Sequence, residues 1–115
     1  MQLLLILNHK PDDGTDVAWN ALRLAEAARK AGMTVKVFLM NEAVDLGRPG
    51  LAPAADYDLQ GMLREGVAQG AEVKLCKSCL TRCGLGGGSL IPEAKVGTMP
   101  ELVEWIAASD RVLTF

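Results

Sequence analysis

The chain has 115 residues, with 12 Lys and Arg against 14 Asp and Glu for a formal net charge of −2, and 50% of it is hydrophobic. That length suits a single domain, 1–115, with a core of its own, and the composition excludes a disordered chain. The scattered Lys and Arg exclude nucleic acid as a partner, since phosphate needs a basic face, and the longest apolar run, 3–7, is far too short for a membrane span of roughly 20 residues.

Leu3, Leu4, Leu5, Ile6 and Leu7 make a continuous apolar run of strand length, suited to a strand buried on both faces. No Lys or Arg precedes the run and no small-residue cleavage site follows it, so it is not read as a signal peptide and the chain is expected to be cytoplasmic. Residues 8–16 carry Pro11, Gly14 and three aspartates and form a loop. From 17 to 31, Ala18, Ala21, Leu22, Ala25 and Ala28 recur at helical spacing. Thr15 or Asp16 is placed to cap that helix, and Gly32 to end it. Trp19 falls off the apolar face and is a candidate oligomer contact.

Residues 34–40 are rich in β-formers and predict a second strand. The stretch 41–58 shows no clear period and is long for a connection, which suggests a functional lid or a mobile segment. Leu59, Met62, Leu63 and Val67 mark a second helix, closed by Gly70, and 71–75 a third strand. Residues 94–96 predict a short fourth strand. Thr98 and Glu101 then stand in the spacing of a capping box, with Pro100 tolerated in the first turn. Leu102, Val103 and Ile106 give that helix its expected buried side, and 111–115 predict a fifth strand. Met33, Met40, Met62 and Met99 sit on apolar faces and are expected in the core.

Strands alternating with helices imply a three-layer α/β/α sandwich around a mainly parallel five-stranded sheet. Chemistry in such sheets collects outside the carboxyl ends of the strands. The loops after Leu7, Met40 and Leu75 are therefore expected to meet on one edge.

All three cysteines, Cys76, Cys79 and Cys83, fall within eight residues after the third strand. The residues after Cys76 can begin a short helix, so the helix dipole and the charges of Lys77 and Arg82 are expected to favour thiolate. A thiolate attacks disulfides, persulfides and electrophiles. On that reading Cys76 is the acceptor, Cys79 a resolving thiol one turn on, and Cys83 a third thiol a further turn along. Two other readings stay open. The cysteines can be small buried hydrophobes, or they can hold zinc. A closed zinc site needs four ligands, and His9, the lone histidine, is the candidate fourth beside Cys76, Cys79 and Cys83.

Other features carry less. The run 84–89 is glycine-rich but lacks the Gly-Lys-Ser/Thr ending of a phosphate loop, and reads as a mobile connector. Asp12, Asp13 and Asp16 would repel an anion at the first helix, so no nucleotide or flavin is expected. One histidine, with no acid placed to orient it, argues against Ser/His/Asp machinery.

The segment Gly70-Ala71-Glu72-Val73-Lys74-Leu75-Cys76, the C-x-x-C that follows, the helix around Ala21-Leu22-Arg23-Leu24-Ala25 and the closing Arg111-Val112-Leu113-Thr114-Phe115 together resemble the DsrE/DsrF-like sulfur-relay proteins across nearly the whole chain. The resemblance implies a flavodoxin-like sandwich that assembles into a trimer or hexamer. It also implies that Cys76 matches the relay cysteine, which carries sulfur as a persulfide, and that Cys79 matches the second cysteine of the C-x-x-C subset. Cys83 departs from the pattern, standing where an arginine commonly precedes the glycine. The expected function is sulfur carrier or sulfurtransferase with no cofactor, partnered by sulfur donor and acceptor proteins or polysulfide. The alternative is a zinc-binding or assembly module.

Overall fold

The computed structural model describes residues 1–53 and 56–115. These form the strands β1 (Gln2–Leu7), β2 (Thr34–Leu39), β3 (Glu72–Cys76), β4 (Lys95–Gly97) and β5 (Arg111–Thr114), and the helices α1 (Val17–Lys30), α2 (Leu59–Ala68), α3 (Lys77–Arg82) and α4 (Met99–Ala108). The described strands lie in the order β4-β3-β2-β1-β5, and every pairing is parallel. The α/β architecture expected from the alternating pattern is present.

Strand alternation divides the core in two. Leu3, Leu5 and Leu7 join Val35, Val37, Leu39, Val73 and Leu75 under α1 and α2. Their neighbours in the pleat, Leu4, Phe38 and Cys76, point to the opposite face and pack with Leu102 and Trp105 of α4. The first cluster is the larger, and the alanines explain part of that. Ala18, Ala21 and Ala28 are buried on α1, so the helix lies close to the sheet. In the second cluster Phe38 is fully buried and meets Trp105 edge-on, with ring centroids 6.2 Å apart. Burying such a side chain stabilises the fold by about 1.5–3 kcal/mol.

The ends of the helices follow their sequence signals closely. Gly32 and Gly70 have φ of +90° and +106°, the left-handed conformation that ends a helix. The capping box is formed. The Thr98 hydroxyl accepts from the Glu101 N–H, while Glu101 accepts from the Thr98 N–H. At α1, by contrast, Asp16 is the N-cap residue but makes no side-chain cap hydrogen bond; it accepts from the Tyr57 hydroxyl at 2.9 Å instead.

Several expectations need correcting. The stretch 41–58 opens with a 3-10 helix, Asn41–Gly47, whose Ala43, Val44, Leu46 and Gly47 are buried. That part is core, not a lid, and residues 54–55 of the stretch lie outside the described residues. On α4 the buried pair is Leu102 and Trp105, whereas Val103 and Ile106 are 63% and 41% exposed. The small second cluster admits only one row of the helix. Met99 is also exposed, because it begins that helix on the outer side. Trp19 is not a free surface aromatic. It stacks on Tyr57 at 5.1 Å, and the Arg23 guanidinium lies 4.4 Å from the ring centroid.

Candidate functional site

The carboxyl edge of the sheet is tied together by its own backbone. Asn8, which follows β1, donates its main-chain N–H to the Phe115 main-chain oxygen at 2.8 Å, and Met40, which follows β2, donates to the Leu7 carbonyl at 2.8 Å. One residue on, the Asn41 side-chain amide donates to the Asn8 side-chain oxygen at 2.8 Å. The loops after β1 and β2 therefore meet, and the segment after β3 joins them where the Asn41 N–H reaches Cys79, as the topology leads one to expect.

The cysteines enter this edge from β3. Cys76 ends the strand and is the N-cap residue of α3. Its side chain points to the α4 face and is only 4% exposed, within the cluster of Leu4, Phe38, Leu102 and Trp105. Cys79, one turn into α3, is half-buried and packs against both core clusters. Cys83 is exposed at the helix end. The three free thiols thus form a graded series from the interior to solvent.

Cys79 packs against the cluster that holds Cys76, and its sulfur accepts the Asn41 main-chain N–H at 3.1 Å. Cys83 Sγ lies 3.8 Å from the Asn41 carbonyl oxygen, a long thiol donor contact. Burial pushes the Cys79 thiol above its ordinary pKa, and the neighbouring Cys76 thiol pushes it the same way; the Asn41 N–H pulls it down. Lys77 and Arg82 are both exposed. At Cys79 the expected preference for thiolate is therefore reversed.

His9 is engaged elsewhere: its Nδ1 lies 2.8 Å from the Asp13 carboxylate, so, contrary to expectation, an acid does stand beside the histidine. Among the described residues, no group of three or more His, Cys, Asp or Glu side chains is placed to hold a metal ion. The glycine-rich run begins with Gly84 at φ +77°, and Leu85 folds back so that its N–H donates to the Leu80 carbonyl at 2.8 Å. Asn41 and Asn8 are the site residues that the cysteine spacing did not point to. Asn41 carries a trace of a signal, since asparagine directly after a strand tolerates a left-handed backbone better than most residues do.

Relatives agree with the fold. Protein YchN of Escherichia coli strain K12 is 38% identical to this chain over 117 residues, spanning 100% of both. The crystal structure of the ychN protein from E. coli superposes with a TM-score of 0.92 at 37% identity, covering 100% of this chain and 99% of that one. An uncharacterized protein of Methanocaldococcus jannaschii is 32% identical over 115 residues, again spanning 100% of both. A protein of unknown function from Methanobacterium thermoautotrophicum, at 16% identity and a TM-score of 0.67 over 97% of each chain, shares the fold. The family model that matches residues 1–115 is that of the DsrE/DsrF-like family, and with full-length relatives above 30% identity the chain belongs to that family.

Proposed function

We propose that the chain is a sulfur carrier of the cytoplasm, holding sulfane sulfur as a cysteine persulfide and passing it to a partner protein. The observation that carries this reading is the packing of Cys79 against the apolar cluster that buries Cys76, on an edge where Cys83 reaches solvent. Membership of a family associated with sulfur relay supports it. Cys76, sheltered under α4, stores the sulfur away from water and stray thiols. Cys79 exchanges with it, and Cys83 faces the donor or acceptor.

The chemistry balances without an oxidant. A Cys79 thiolate attacks the outer sulfur of Cys76–S–SH; a bond forms between Cys79 Sγ and that sulfur, and the bond to Cys76 Sγ breaks. Cys76 leaves as thiolate, and the transferred sulfur keeps its proton. Loading from a donor persulfide or a polysulfide follows the same exchange.

A second copy of the chain is the proposed cover for α4 and the strand after it. Met99, Val103, Ile106, Val112 and Leu113 are exposed there, and β5 is an edge strand. A trimer or hexamer in light scattering is the expected result.

Intact mass of the reduced protein, before and after treatment with inorganic polysulfide, tests the carrier reading. The expected result is a gain in whole sulfur units, reversed by dithiothreitol. No gain, together with stoichiometric metal under native conditions, would make the cysteines ligands and overturn it.

A further inference from the structure

The geometry points to Asn41 as the positioning residue for Cys79: its left-handed backbone turns the main-chain N–H onto the Cys79 sulfur, and its side chain, held by Asn8, keeps that turn in place. This inference rests on the sulfur-carrier reading for its purpose, though not for its geometry.

Asn41 has φ +50°, and among the described residues it is the one non-glycine with positive φ. Such a backbone is uncommon outside glycine and marks a conformation that its surroundings over-determine. Asn41 also opens a 3-10 helix, so its N–H has no partner within that helix. The preceding Met40 offers no side-chain cap. The donor is satisfied by sulfur instead, at 3.1 Å, a distance within the ordinary N–H···O range although sulfur is the larger acceptor. The carbonyl of the same residue faces Cys83 Sγ at 3.8 Å, so one peptide segment touches both outer thiols.

The side chain explains how the conformation is kept. Asn41 Nδ2 donates to Asn8 Oδ1 at 2.8 Å, and Asn8 Nδ2 donates in turn to the Phe115 main-chain oxygen at 3.2 Å. The ends of β1, β2 and β5 thereby fix one N–H against one sulfur. When Cys79 attacks the sulfur on Cys76, negative charge must form on Cys79 Sγ inside a half-buried site. A fixed N–H directed at that atom is the kind of group that stabilises such charge without reorganising. Cys83, which meets Asn41 through the carbonyl, gains no such help.

Three substitutions test this on the folded protein, with the iodoacetamide alkylation rate read at each cysteine by peptide mass at one fixed pH. Asn41→Val disfavours the left-handed backbone, and Cys79 should be alkylated about tenfold more slowly, the loss of one hydrogen bond to charged sulfur, with Cys83 little changed. Asn41→Gly keeps the N–H and free access to positive φ but loses the link to Asn8, so the Cys79 rate should recover part of the way and stay above that of Asn41→Val. Equal slowing in both variants, parallel changes at Cys79 and Cys83, or a Cys79 rate that is unchanged or faster would each overturn the assignment. Should Asn41→Val not fold, Asn8→Ala is read in its place; slowing confined to Cys79 supports the inference, and an unchanged rate overturns it. No sulfur enters this assay. A protein that shows the contrast yet takes up no polysulfide sulfur keeps the positioning role and loses the carrier function. One that loads sulfur while Asn41→Val alkylates normally loses the positioning role alone.

Discussion

Cys79 packs against the apolar cluster that buries Cys76, and burial, with the Cys76 thiol next in effect, holds Cys79 protonated beyond the ordinary thiol range. Removing Cys76 removes part of that effect. Cys76→Ala should therefore lower the Cys79 pKa and speed its alkylation at neutral pH, whereas Cys83→Ala should act more weakly through its smaller contribution. Because the folded pKa of Cys79 is raised, its contribution to stability is complete below the unfolded value and is lost as pH rises through the folded one. Site-resolved alkylation across pH checks the direction.

A side chain on Gly97, in β4, would be crowded. A Cβ there would stand 3.0 Å from Lys74 Cβ and 3.0 Å from Phe38 Cε2, and Phe38 is wedged against Trp105. Gly97→Ala should destabilise the fold by about 1–3 kcal/mol, read from urea midpoints.

How far the sequence discloses the structure depends on what each signal measures. The run Leu3 to Leu7, the alanine spacing of α1 and the Thr98–Glu101 pair are local patterns, and each produced its element within one or two residues. The 3-10 helix from Asn41 was illegible because seven residues hold too few turns to show a period. On α4, apolar Val103 and Ile106 look no different in sequence from a buried pair; only the limited space beneath Phe38 and Leu4 decides for Leu102 and Trp105. The site divides the same way. Adjacent cysteines were visible, but Asn8 and Asn41 are joined by the sheet and lie 33 residues apart in the chain.

Thr98 caps α4 through its hydroxyl, and α4 is the described helix that closes the second face. Thr98→Ala should cost about 1 kcal/mol. Thr98→Ser, which retains the hydroxyl, should recover most of it, as thermal unfolding would show.

Asp13 is held down to about 2, first by the Thr15 hydroxyl, then by His9 and by the Thr15 main-chain N–H. A depressed carboxylate contributes stability that is present above its unfolded pKa and lost as pH falls through the folded one, so the window here runs from the ordinary value of 3.8 to about 2. Thr15→Ala should move the Asp13 midpoint upward in a carbon-detected NMR titration.

The most direct measurement maps polysulfide-derived sulfur to individual cysteines by peptide mass in the unsubstituted protein and in the Cys76→Ser, Cys79→Ser and Cys83→Ser variants. Sulfur that comes to rest on Cys76, is absent in Cys76→Ser and reaches Cys76 slowly in Cys79→Ser is the predicted result. Sulfur retained in full by Cys76→Ser, or found on Cys83 alone, would contradict storage beneath α4.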